Sequence, residues 1–250
     1  MPHQPPEPPS DSEFPSETLA ASRGEAYAFL SRGFLKAPTA DDLSPIDDGN
    51  CLTAVQELLG GDAVATLREW AANRDPSVLA GELQREFTRL FQVPGSASVV
   101  PYESVFRDAR EIEGRSVKGL LMGQSSVDVQ QWYRLAALDI SPEFQDLPDH
   151  IALELSYLAT LCSLEKDFAA QGEQGKLRRA REMQRDFLAA HLRPWVADLA
   201  GAIKEKSPHP YFTALADALV HFTTRDLAEL EEALGKSSGQ AVPAYPDAPQ

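Results

Sequence analysis

Cysteine is scarce, positive charge is in deficit, and long apolar runs are missing. Only two cysteines occur in 250 residues, Cys51 and Cys162. They lie far apart and neither belongs to a Cys-x-x-Cys pair, which argues against a disulfide framework and against a zinc site. Both fit small core positions in a reducing compartment. No stretch of about 18 consecutive apolar residues exists, so no membrane span is expected. The N-terminus has neither a basic n-region nor an apolar h-region, so it does not read as a secretory signal. These absences together predict a cytoplasmic protein. The phosphate-binding patterns GxxxxGK[ST] and GxGxxG are absent, as is the GxSxG nucleophile elbow. Cofactors, metal and catalytic residues are therefore all expected to be none.

The charge deficit is large. Lys and Arg total 23 against 38 Asp and Glu, a net charge of −15. Such a chain repels nucleic acid and anionic membrane. It favours basic partners, such as an arginine-containing peptide. Hydrophobic residues make up 43% of the chain, enough for a packed core in one domain.

What is present reads as helix. Residues 2–16 are proline-rich and polar, and 236–250 resemble them, so both ends are expected to be disordered tails. The intervening 17–235 are expected to form one all-helical domain of about ten helices. Apolar stripes mark a helix over Ser16–Lys36, a short one after Asn50, and one capped by Asp62 that carries Leu67 and Trp70. Asp75-Pro76-Ser77 opens another, with Leu79, Leu83, Phe87, Leu90 and Phe91 on one face. Ser125 or Ser126 is expected to cap a further helix. Residues 139–148 read as a polar linker and hinge, with Asp146 capping the long apolar helix beyond it. A charged helix spans Glu173–His191, another starts at Pro194-Trp195, and two more cover Pro208–Thr223 and Thr224–Gly235. No strand pattern is long enough to assign.

Two constellations have chemical content. His150 and Glu154 are i, i+4 neighbours on one helix face, beside Asp149. A di-iron bundle would need Glu-x-x-His on two helices. That motif is missing, so Asp149 is expected to favour the helix N-terminus and His150 to bond a carboxylate. The second constellation is Tyr102-Glu103-Ser104-Val105-Phe106. An amphipathic peptide could pair its arginine with Glu103 and lay apolar groups on Tyr102 or Phe106. The i, i+4 aromatics equally fit a core role.

At these residues the chain resembles the TorD/DmsD/NarJ family of redox-enzyme maturation chaperones. The likeness runs over about residues 80–223. It is carried by Arg85-Glu86-Phe87-Thr88-Arg89-Leu90-Phe91, Pro101-Tyr102-Glu103-Ser104-Val105-Phe106 and Pro148-Asp149-His150, followed by His191-Leu192-Arg193-Pro194-Trp195 and His209-Pro210-Tyr211-Phe212. Gln145-Asp146-Leu147 replaces the Glu-Pro that often precedes the Asp-His pair. The resemblance implies a TorD-like helical bundle without catalytic turnover. It implies binding of the twin-arginine leader, or the apo catalytic subunit, of a molybdopterin oxidoreductase. Such binding assists cofactor insertion and delays export until folding is complete. On the family's pattern the peptide-binding residues are Phe87, Leu90, Phe91, Tyr102, Glu103, Ser104, Asp149 and His150. Asp149 and Glu103 would face the guanidinium groups. A monomer with some domain-swapped dimer is expected. The alternative is a helical metal- or nucleotide-binding protein acting in cofactor delivery.

Overall fold

The computed structural model describes residues 16–40, 61–108, 110–112, 115–117, 119–138, 140, 144 and 146–235. Residues 1–15 and 236–250 of the expected tails, the helix expected after Asn50, Cys51 and half of the 139–148 linker lie outside the described residues.

Nine α-helices are found among the described residues: α1 Ser16–Leu35, α2 Gly61–Ala71, α3 Pro76–Phe87, α4 Glu103–Arg107, α5 Gln124–Leu135, α6 Ile151–Ala170, α7 Gln174–Phe187, α8 Val196–Lys206 and α9 Pro210–Ala233. The longest contact runs between α1 and α6; α7 packs on α6, and α9 carries α8 and α2. Close approach of α1 and α6 follows from small residues: a Cβ added at Gly24 would sit 3.3 Å from the Cys162 Cβ. The core between these helices is aliphatic and aromatic, with Tyr27, Leu30 and Phe34 of α1 buried against Leu155, Leu158, Phe212 and Phe222.

A charged cluster lies inside that core. The Arg23 guanidinium donates to Glu165 at 2.8 Å and to both oxygens of Asp226, and it also reaches the Gln184 side chain. Arg181 pairs with the other Glu165 oxygen at 2.6 Å, and Tyr27 donates to Asp226. Two guanidiniums thus face two carboxylates, so the cluster is charge-balanced and joins α1, α6, α7 and α9.

Several local expectations need correction. A small antiparallel hairpin, β1 Arg110–Ile112 with β2 Arg115–Val117, occupies a stretch with no strand signal; each strand is too short to show alternation. The expected break at Thr223–Thr224 is absent and α9 is continuous. Thr223 Oγ1 donates to the Leu219 carbonyl at 2.7 Å, so its hydroxyl is satisfied within the helix. Neither Ser125 nor Ser126 caps α5, which starts at Gln124 with Gly123 before it. Asp108 caps it from a distance instead, accepting from the Ser125 N–H and hydroxyl at 3.1 and 2.7 Å. α2 begins at Gly61, ahead of Asp62. Asp75 does cap α3, accepting from the Ser77 N–H at 2.8 Å, with Pro76 in the first turn.

α3 and α7 each end in one π-helical turn, Thr88–Gln92 and Leu188–Leu192. Such turns insert an extra residue and are frequent at functional sites. Here they carry Leu90 and Phe91 in one case and His191 in the other.

Candidate functional site

The segment before α4 and the turn before α6 meet as an isolated antiparallel bridge between Tyr102 and His150. The Glu103 N–H donates to the Asp149 carbonyl at 3.0 Å, and the Ile151 N–H to the Pro101 carbonyl at 3.0 Å. Asp149 Oδ2 then accepts from the Ser104 N–H at 2.9 Å, at the start of α4. The carboxylate expected to favour its own helix therefore serves the first turn of another. His150 takes the cap of α6: its Nδ1 accepts from the Ala152 N–H at 3.1 Å. Asp146, expected in that role, accepts from the Leu147 N–H and from the Tyr102 hydroxyl. His209 repeats the histidine cap at α9, accepting from Tyr211 N–H at 3.2 Å. Burial lowers the basicity of both imidazoles, while Asp146 and Asp149 work against it at His150.

Glu103, Ser104 and Asp149 are completely buried and His150 nearly so, whereas Tyr102 is half-buried. Around Glu103 the partners come from far along the chain. His191 Nδ1 lies 3.0 and 3.2 Å from its two oxygens. Arg107, one turn along α4, pairs with the same carboxylate and donates to the Ala190 carbonyl at 2.7 Å. Arg107 is exposed, so it lies between Glu103 and solvent. Glu154 is also fully buried beside Glu103, Asp149 and the Trp195 indole, but neither of its oxygens gains a well-directed hydrogen bond. Burial, then repulsion from Glu103 and Asp149, raises its carboxyl well above the usual range, which favours the protonated form. Among the described residues, no group of three His, Cys, Asp or Glu is placed to hold a metal ion.

The predicted residues fall into two sets. Tyr102, Glu103, Ser104, Asp149 and His150 converge at the bridge. Phe87, Leu90 and Phe91 form the other set: the Phe87 and Phe91 rings pack on each other and on Phe212, and Phe91 also on Phe34. Leu90 is fully buried, and its carbonyl accepts from the Val99 N–H at 2.7 Å. On the charged helix Arg178 and Arg179 are exposed, Glu182, Arg185 and Asp186 are half-buried, and Arg181 reaches inward to Glu165.

Sequence reasoning missed Glu154 as an acid neighbour of Glu103, and His191 and Arg107 as its partners. His191 stands 88 residues from Glu103, and no local pattern encodes that meeting. The Arg107 pairing had a local signal, since acid and base are i, i+4 on one helix. The exposed apolar loop Leu120-Leu121-Met122, with relative exposures of 80%, 51% and 69%, was missed too. It is tethered to α4 because the Gly119 N–H donates to the Val105 carbonyl at 3.0 Å. On the other side of the bridge, Tyr133 donates to the Pro148 carbonyl at 2.9 Å and lines a cleft of about 110 Å³ with Leu153, Tyr157 and Ile140.

The described residues form a mainly helical bundle in which two segments meet at an acid-lined bridge. Residues 58–201 match the nitrate reductase delta subunit family, and the chain belongs to it. It is similar to chaperone protein TorD of Shewanella pealeana, at 26% identity over 65% of this chain and 66% of that protein. It is also similar to chaperone protein TorD of Vibrio cholerae, at 23% identity over 86% of this chain and 94% of that one. A solved structure of a redox enzyme maturation protein from Archaeoglobus fulgidus aligns over 90% of this chain and 99% of its own. Its sequence identity is 21% and its TM-score 0.39. The relatives are chaperones, and the chain is a chaperone-family protein, not an enzyme. No helix among the described residues is long and apolar enough to cross a membrane.

Proposed function

We propose that this protein is a maturation chaperone for the catalytic subunit of a molybdopterin oxidoreductase, and that it binds the twin-arginine leader of that client in the cytoplasm. The observation that supports this most is the bridge itself. It gathers three buried carboxylates behind an arginine of the chain's own, next to an exposed apolar loop. An arginine pair followed by an apolar stretch has matching chemistry: guanidinium for carboxylate, aliphatic side chains for Leu120, Leu121 and Met122. Family membership and the net charge of −15 support the same reading.

Glu103, Asp149 and Ser104 form the polar floor of this proposed site, Tyr102 and His150 its wall. Phe87, Leu90 and Phe91 support it as packed core behind the 93–101 loop. Calorimetric titration of the full chain with a leader peptide tests the proposal. Micromolar affinity is expected, about 8 kcal/mol, since ordering the peptide offsets part of the contact energy. Replacing Arg-Arg by Lys-Lys should weaken binding about tenfold, because ammonium groups lose the bidentate geometry. Equal binding of the two peptides would refute recognition by paired carboxylates.

A further inference from the structure

Glu103, Asp149 and Glu154 approach one another from α4, the turn before α6, and α6 itself. Five polar side-chain atoms there are buried without a well-directed hydrogen bond: Ser104 Oγ, Asp149 Oδ1, both Glu154 oxygens and Trp195 Nε1, the indole and Glu103 lying beside Glu154. Buried acceptors left unpaired are costly, and most proteins avoid them. Four of these atoms can accept, and among the described residues one guanidinium, Arg107, pairs with the cluster, at its mouth. That guanidinium, Arg107, is held by one carboxylate and one carbonyl and is exposed. A metal ion does not suit the arrangement, because no ligand set is assembled among the described residues. A planar group with five N–H donors does, since it can satisfy several acceptors at once.

We infer that Arg107 is a resident stand-in for a guest arginine: the guest displaces it from Glu103 and is received by Glu103 and Glu154 together. This deepens the peptide-binding reading and rests on it. Glu154 becomes the second acceptor of the guest, and Arg107 becomes its competitor. The groups facing Glu154 are Glu103 from α4, Asp149 from the turn, Tyr133 from α5 and the Trp195 indole before α8; Arg107 and His191 face Glu103, and His150 lies beside Asp149. In the free chain burial and the neighbouring Glu103 and Asp149 favour the protonated form of Glu154, and no cation among the described residues pairs with it. A guest guanidinium supplies that cation, so Glu154 ionises and its proton leaves to solvent. Binding should therefore strengthen as pH rises.

The test is calorimetry of the full chain with an Arg-Arg leader peptide, in two buffers of different ionisation enthalpy. About one proton should be released per peptide bound to the wild type. The release should vanish in Glu154→Gln, with affinity about tenfold lower. Arg107→Gln should bind the same peptide about fivefold more tightly, the competitor being gone. Peptide binding to the wild type without proton release, and at equal strength in both variants, would overturn the inference and leave the peptide-binding reading standing. No binding to the wild type would overturn both. The proton count uses unmodified protein, so a folding defect in either variant does not blunt the test.

Discussion

Arg23 brings a full positive charge into a helical interior, where it is tolerable only because Asp226, Glu165 and Gln184 surround it. Removing one member strands the others. Arg23→Ala should destabilise the fold by about 3–5 kcal/mol, read as a drop in the urea midpoint with an unchanged slope. Glu154 works the other way. Its carboxyl is raised in the fold, so the unfolded chain ionises first and stability falls as pH rises above the ordinary glutamate range. Glu154→Gln should remove that slope and raise Tm at pH 8 relative to the wild type. A lower Tm with the slope intact would show that the acid is not neutral in the fold. His150 has a lowered affinity for protons, so the unfolded chain binds more of them below the ordinary imidazole range, and stability falls as pH drops through it. His150→Asn keeps a cap acceptor that does not titrate. Thermal melts from pH 7.5 to 5.5 should fall less steeply in this variant than in the wild type.

At the scale of elements, helix positions were readable because burial imposes a 3.6-residue period. The first helix was expected over Ser16–Lys36 and ends at Leu35. The stripe on α3 matches its buried Leu79, Leu83 and Phe87. The features that escaped depend on partners elsewhere in the chain. Asp108 caps α5 across 17 residues, and Asp149 serves α4 across 45. The π turns leave no local pattern distinct from an α-helix end. The loop carrying Leu120–Met122 is flanked by a glycine that leaves no room for a side chain against backbone: a Cβ at Gly119 would lie 1.8 Å from the Ser104 carbonyl oxygen. Gly119→Ala should therefore push the loop off α4, costing about 1–3 kcal/mol in thermal or urea unfolding. It should also weaken peptide binding if the loop holds the apolar stretch. Unchanged stability would show that the loop relaxes freely.

For the whole molecule, charge sets the approach and packing sets the fit. A chain of net −15 attracts a cationic peptide over distances that salt shortens. Raising salt from 0.05 to about 0.5 M should slow association and leave the apolar contribution in place. The family and the all-helical class were legible from a handful of short stretches whose order and spacing agree. The interior of the site was not. That Glu103 is shared by Arg107 and His191, and that Glu154 lies beside it without a well-directed hydrogen bond, follows from three-dimensional convergence alone. The central claim is that the two segments meeting at the Tyr102–His150 bridge receive an arginine-pair peptide. Hydrogen–deuterium exchange of the full chain with and without that peptide tests it most directly. Protection should concentrate in residues 101–108 and 146–154, with a weaker effect over 119–123. Bound peptide that leaves these segments unchanged and protects a distant one, such as α2, would contradict it.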